Sequence, residues 1–151
     1  IIKGMKFRYA ESDMQIKEEI QDDMPEIFAD SDALTQIIIN CLENSRKFSD
    51  PGSTVIVKSE IKNSDIYIAI QDFGKGISKK DLNKIFSRFY RVENKNEVKK
   101  EGSGLGLSIV KEFVDLHKGT INVESKLNKG TTFHITIPTN PEEELSGVKN
   151  E

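Results

Sequence analysis

The chain has 151 residues, 36% hydrophobic and 31% charged, the make-up of one globular domain able to bury a core. A net charge of −3, from 22 basic and 25 acidic residues, offers no overall attraction to nucleic acid. The single Cys41 excludes an internal disulfide, no Cys/His cluster suggests zinc, and no apolar run approaches the roughly 20 residues that cross a bilayer.

Residues 1–12 show little periodicity and read as a linker tail from a preceding domain. The chain starts at Ile1 rather than Met and is expected to be a piece of something longer, from a reducing cytoplasm. Met14, Ile16, Glu18 and Ile20 alternate with polar neighbours, as in a half-buried strand. Asp22-Asp23-Met24-Pro25 ends it, and Ile27 and Phe28 suggest a short second strand. Asp30-Ser31-Asp32 then supplies N-caps for a helix to about Lys47. At about 100° per residue, Leu34, Ile38, Cys41 and Ser45 form one stripe, flanked by Ile37 and Phe48. Asn40, Asn44 and Lys47 fall on another face, extended by Gln36 and Glu43. The apolar stripe accounts for the helix but not for two asparagines, which are mediocre helix formers.

Asp50-Pro51-Gly52-Ser53 is a turn. Thr54 to Ile61 and Asp65 to Gln71 alternate as two strands joined at Asn63-Ser64. The glycine turn Asp72-Phe73-Gly74-Lys75-Gly76-Ile77 follows, then a short helix capped by Ser78, then the aromatic segment Phe86 to Arg91. Glu93 to Glu101 is polar, lacks a hydrophobic period and reads as a moving loop. A second glycine turn, Gly102-Ser103-Gly104-Leu105-Gly106-Leu107, opens a helix to about His117, with Leu107, Val110, Val114 and Leu116 for the core and Gly119 as C-cap. Thr120 to Ser125 and Thr131 to Ile137 are the last strands, joined around Asn128-Lys129-Gly130. The domain thus spans 13–139, ahead of a flexible acidic tail at 140–151. The expected fold class is α+β: a mixed, mostly antiparallel sheet of about five strands under about three helices.

Several residues could carry chemistry. Asp72 leaves a strand end, where a carboxylate can accept from an exocyclic amine; an isolated Asp-x-Gly reads first as a turn aspartate. Gly102, Gly104 and Gly106 enter a helix whose free N–H groups can attract phosphate, and a flexible loop explains them equally well. No Gly-Lys-Ser/Thr follows, so this is no Walker loop, and no strand leads into it as in a dinucleotide fold. Asn44 can offer an amide oxygen to magnesium, and Lys47 a point charge to phosphate; a solvated helix face is the usual meaning of either alone. His117 and His134 match no metal spacing, and Cys41 sits on the apolar stripe.

In this order and spacing the motifs resemble the catalytic, ATP-binding domain of sensor histidine kinases, in the wider group shared with gyrase, Hsp90 and MutL. Asn40-Cys41-Leu42-Glu43-Asn44-Ser45-Arg46-Lys47-Phe48 resembles the N box, Asp72 to Ile77 the G1 box, Phe86-Ser87-Arg88-Phe89-Tyr90-Arg91 the F box, and Gly102 to Leu107 the G2 box. Asn128-Lys129-Gly130-Thr131-Thr132-Phe133 resembles the last glycine segment, so the likeness runs from about Met14 to Pro138. It implies a Bergerat-type two-layer α/β sandwich that binds ATP and Mg²⁺. Asn44 would hold the metal and Asp72 would read the adenine amine, with Phe48 and Ile77 lining the base pocket. Asn40, Lys47 and Arg91 would lie near the phosphates, and Thr131 near the base. Tyr90 to Glu101 would form a lid ending on the second glycine turn, including Ser103, Leu105 and Leu107. Phe86 and Phe89 would dock a dimerisation domain that carries the phosphoacceptor histidine. No H-E/D-x-x-T/N-P acceptor segment occurs here, so that histidine would belong to another domain of the parent. Hydrolysing relatives place a glutamate where this chain has Asn40, a poor base. The expectation is a monomeric, cytoplasmic kinase module that serves a response regulator through its parent and itself contacts neither nucleic acid nor membrane; the alternatives are a hydrolysing ATPase of the same fold and a non-catalytic nucleotide-binding interaction module.

Overall fold

The computed structural model describes residues 1–92 and 102–139. Its elements are helix α1 (Ile2–Glu11), strand β1 (Gln15–Ile20), helix α2 (Ser31–Phe48), strands β2 (Thr54–Lys62) and β3 (Asp65–Gln71), the one-turn helix α3 (Lys79–Leu82), helix α4 (Gly106–Leu116), and strands β4 (Thr120–Lys126) and β5 (Gly130–Pro138). The strands form one sheet in the order β1-β2-β3-β5-β4. β1 and β2 are parallel, which requires the crossover that α2 provides; the other pairs are antiparallel. The architecture is the expected α+β sandwich: a five-strand mixed sheet under three longer helices.

Strand alternation places every second residue on the helix side. Val57 pairs with Ile70, Ile70 with Phe133, and Phe133 with Val123, so one apolar row crosses the sheet. Above it lie the buried Ile37, Cys41 and Leu42 of α2 and Val110 and Val114 of α4. The opposite face carries polar rows such as Lys58, Ala69, His134 and Asn122. The β2–β3 hairpin turns at Asn63 and Ser64, both at positive φ (50° and 68°), which matches the right-handed twist of the strands. Asp30 caps α2 as expected, its carboxylate accepting from the N–H groups of Asp32 and Ala33, each at 2.9 Å.

Five local expectations are corrected. Residues 2–11, read as part of a linker tail, form α1 and pack on the domain. Met5 and Tyr9, four apart, are its only fully buried residues, and two anchors are too few to register as a period. Ile27 and Phe28 form no strand, and Phe28 is exposed. The stripe of α2 is rotated: Ala33, Ile37, Cys41, Leu42 and Ser45 are buried, while Leu34 and Ile38 are half-buried and Phe48 is exposed, because α1 covers a flank that the sequence left open. On α4, Leu116 is exposed and Phe113 packs on the core instead. The left-handed residue after α4 is Lys118 (φ 56°) rather than Gly119. Gly119 is needed for space, since a Cβ there would lie 2.4 Å from the Thr136 carbonyl oxygen.

The expected structural histidines have structural contacts. His117 Nδ1 lies 2.7 Å from the Phe113 carbonyl and its Nε2 accepts from the Asp30 N–H at 3.1 Å. One neutral tautomer satisfies both contacts and ties the end of α4 to the start of α2. His134 pairs with the Tyr67 hydroxyl at 2.5 Å on the open sheet face.

Candidate functional site

The site forms where β3 ends beneath α2. Asp72 is 3% exposed, and its Oδ1 accepts from the N–H groups of Gly74 (3.0 Å) and Thr131 (3.2 Å). Both bonds land on Oδ1, which leaves Oδ2 for a ligand. Burial pushes this carboxyl above its ordinary value, and the two backbone donors oppose that rise. The nearby Ser45 hydroxyl also favours the charged form, though it lies outside good hydrogen-bond geometry and has no partner of its own. Asp72 is thus a buried carboxylate whose two backbone donors both fall on Oδ1, with the Ser45 hydroxyl beside it.

The glycines of the first turn answer to their own chain. A Cβ on Gly74 would lie 2.1 Å from the Phe48 carbonyl oxygen at the end of α2. Gly76, at φ 68°, would place one 2.0 Å from the Lys126 carbonyl oxygen. The turn is thus pressed between α2 and the β4–β5 hairpin. Hydrogen bonds from Lys75 N to Phe48 O (3.0 Å) and from Asn128 N to Lys75 O (2.7 Å) hold it there. Ile77 packs against the core, and its N–H donates to Ser125 Oγ at 2.7 Å.

α2 brings its polar face to the start of α4. Asn40 accepts from the Gln36 amide at 2.8 Å and donates to the Gly106 carbonyl at 3.2 Å, bridging the two helices. Lys47 reaches the second glycine turn, since a Cβ on Gly102 would fall 2.1 Å from its Nζ. Asn44, one turn from each, is half-buried. The first N–H groups of α4 lack a side-chain cap, the arrangement that attracts phosphate. Ser103 shapes the approach by accepting from the Leu105 N–H at 3.2 Å. Leu105 is the residue before the helix, and Leu107 turns into the core. Glu43 points away: its carboxylate takes Arg8 at 2.5 Å and Arg46 at 2.8 Å.

The aromatic segment closes on the same turn. Phe89 sits at φ 62° and its N–H donates to the Gly104 carbonyl at 3.0 Å. Phe89 is 71% exposed, whereas Phe86 packs partly on the domain's own core. The Tyr90 hydroxyl donates to Asp81 at 2.6 Å, and Ser78 donates to the other carboxylate oxygen. These two hydroxyls hold the Asp81 carboxyl below its ordinary value. Arg91 is exposed. The rest of the expected lid, 93–101, lies outside the described residues, as does the tail at 140–151.

Asp72, Gly74, Thr131, Phe48 and Ile77 thus surround one end of the site, and Asn40, Asn44, Lys47, Gly102 and Gly106 the other. Burial drives the Cys41 thiol up to about 12, which makes it inert core. Sequence reasoning missed Ser125, Asp81 and Tyr9. Tyr9 and the Ser125–Ile77 contact depend on partners 33 and 48 residues away, whereas Ser78-x-x-Asp81 is a local helix-start pattern that could have marked Asp81. Tyr9 is fully buried and donates to the Leu42 carbonyl at 2.6 Å, two residues before Asn44.

Comparison with known proteins places this arrangement. Residues 29–141 match the family described as histidine kinase-, DNA gyrase B-, and HSP90-like ATPase. The sensor histidine kinase WalK of Bacillus subtilis is 41% identical over 117 residues, covering 76% of this chain and 19% of that protein. The adaptive-response sensory kinase SasA of Synechococcus elongatus is 33% identical over 139 residues, covering 91% of this chain and 35% of that protein. This chain therefore spans about a third or less of the length of these relatives. Among solved structures, the mycobacterial sensor histidine kinase MprB superposes with a TM-score of 0.76 at 30% identity, covering 93% of this chain and 90% of that one. Full-length ShkA, in complex with AMPPNP, superposes with a TM-score of 0.77 at 26% identity, covering 90% of this chain and 28% of that one.

Proposed function

Because this chain belongs to the histidine kinase-, DNA gyrase B- and HSP90-like ATPase family, we propose that it binds MgATP and passes the γ-phosphate to a histidine on a separate dimerisation and phosphoacceptor domain of a longer sensor kinase. The observation that carries the reading is the buried Asp72 carboxylate, with Oδ2 left to a ligand, at one end of a site whose other end is the uncapped start of α4. An amine donor suits the first and phosphates suit the second.

The roles are those that membership of this family implies, and the positions of the residues support them. Asp72 accepts from the adenine amine, with Phe48, Ile77 and Thr131 around the base. Lys47, Arg91 and the turn from Gly102 to Leu107 take the phosphates, and Asn40 keeps the start of α4 against α2. Asn44 is the residue to hold Mg²⁺, a hard cation that takes few protein oxygens and, when bound, neutralises phosphate charge. Gly74 and Gly76 keep the base wall in place. The incoming imidazole nitrogen forms the new N–P bond as the bond from the γ-phosphorus to its bridging oxygen breaks, and ADP leaves. This chain contributes positioning and charge, and the nucleophile comes from outside it. Tyr90 starts the lid, and Phe86 and Phe89 face the docking domain. The α1 segment joins the module to what precedes it. The setting is the cytoplasmic side of a two-component system, with a response regulator served by the parent and the isolated module monomeric.

A hydrolysing ATPase is the second reading. Against it, Asn40 stands where a base is needed and its amide is engaged with Gly106, while Glu43 is held by Arg8 and Arg46. Calorimetric titration with ATP, ADP and GTP, with and without Mg²⁺, tests the proposal, followed by transfer of labelled phosphate to a separate acceptor domain. Adenine-selective, Mg²⁺-strengthened binding with phosphohistidine on the acceptor is expected. Rapid turnover of ATP by the chain alone would favour the second reading.

A further inference from the structure

Ser125, near the end of β4, touches three polar groups at the floor of the site. Its Oγ lies 2.7 Å from the Ile77 nitrogen, 2.9 Å from the Gly130 carbonyl oxygen and 2.8 Å from Thr131 Oγ1. A hydroxyl has one proton and two lone pairs. The Ile77 N–H can only donate and the Gly130 carbonyl can only accept. If Ser125 donated to Thr131, two bare oxygens would face each other at Gly130. The arrangement that satisfies all three contacts has Ser125 donating to Gly130 and accepting from both Ile77 and Thr131. The Thr131 proton is then committed to Ser125, and Thr131 Oγ1 is left as an acceptor only. Thr131 is 5% exposed, and its own N–H is bonded to Asp72. The buried floor thus offers acceptors from both Asp72 and Thr131, and the Ser125–Thr131 pair has no proton left to give a ligand.

We propose that Ser125 is a specificity-determining positioning residue: it fixes the hydrogen-bond polarity of Thr131, so that the site takes a purine with an amino group at position 6 and rejects one with a carbonyl there. The inference deepens the ATP reading and rests on it. A 6-carbonyl oxygen would meet acceptors without a proton between them, and buried unpaired acceptors are costly. Ser125 also holds the Ile77 wall through its N–H, so loss of the hydroxyl should weaken every purine to some degree.

The test is calorimetric titration of the chain with MgATP and with the magnesium complex of inosine triphosphate, which differs in carrying the 6-carbonyl. The comparison is made for the unaltered chain, Ser125→Ala and Ser125→Thr, with thermal unfolding as the check on folding. In Ser125→Ala the Thr131 hydroxyl is free to turn and donate, so preference for ATP should fall about tenfold, roughly the worth of one hydrogen bond. Ser125→Thr keeps the hydroxyl and should keep the preference. Equal proportional weakening of both nucleotides by Ser125→Ala would reduce Ser125 to a structural support and overturn the proposal, as would loss of preference in Ser125→Thr when that variant folds normally. If the unaltered chain binds both nucleotides equally, or neither, the ATP reading fails first, and this inference with it.

Discussion

Replacing Asp72 with asparagine separates recognition from folding. The two side chains have the same shape, and an asparagine oxygen can keep the bonds from Gly74 N and Thr131 N that now land on Oδ1. The change falls on the other atom: where Oδ2 accepts, an NH₂ donates, and an amine ligand meets a donor. The loss is a hydrogen bond to a charged acceptor, about 1.5–3 kcal/mol, with donor–donor opposition added. Affinity for ATP should therefore drop by at least about tenfold and by roughly a hundredfold at the upper end. Stability should move the other way or hold. Burial raises the Asp72 carboxyl above 3.8, so the fold pays a cost for its charge at neutral pH that a neutral amide avoids. Calorimetric titration and thermal unfolding of Asp72→Asn measure the two effects side by side. An ATP affinity within about threefold of the unaltered chain, in a protein that melts normally, would refute the assignment, since a disrupted adenine contact should cost more than one ordinary hydrogen bond.

The same carboxyl sets a pH dependence. Its folded value lies above 3.8, so adenine affinity should fall as pH drops through that raised value, while its own contribution to stability is fully present below 3.8 and lost as pH rises through the folded value. Titrations of ATP at a series of acidic pH values check the first part, and the dependence should vanish in Asp72→Asn. Asn44→Ala should abolish the gain in ATP affinity from Mg²⁺ and leave unfolding unchanged; a surviving metal dependence assigns the ligand elsewhere. Tyr9→Phe removes one buried hydroxyl bond and should cost about 1 kcal/mol in denaturant unfolding, and Tyr9→Ala about 3–5 kcal/mol. If Tyr9→Ala melts like the unaltered chain, α1 is not anchored as described.

Much of the site could be read before any coordinates. Asn40, Asn44 and Lys47 share a helix face by spacing alone, because residues three and four apart are neighbours on any α-helix. The strands announced themselves by alternation, and both glycine turns by composition. Asp72 was identified as a candidate, but its standing was not: whether an Asp-x-Gly is a turn or a recognition group depends on how deeply it is buried and on which oxygen is taken. The burial and the occupied oxygen come from the pairing of β3 with β5, which brings Thr131 to Asp72 across 59 residues of chain.

Strands β1 to β5, helices α2 and α4, the polar face of α2 and the acidic and glycine residues of the two turns were determined by the sequence, since these follow from periodicity and backbone chemistry within a few residues. The tertiary structure decided the rest. It made α1 part of the domain through Tyr9 and Met5, rotated the buried stripe of α2 toward Leu42, and used the smallness of Gly74 against the chain's own carbonyls. It also set Ser125 between Ile77, Gly130 and Thr131, where one proton orders three contacts. Ile77 and Ser125 are 48 residues apart and Tyr9 and Leu42 are 33 apart, and burial and hydrogen-bond direction are properties of the packed molecule rather than of any segment of it.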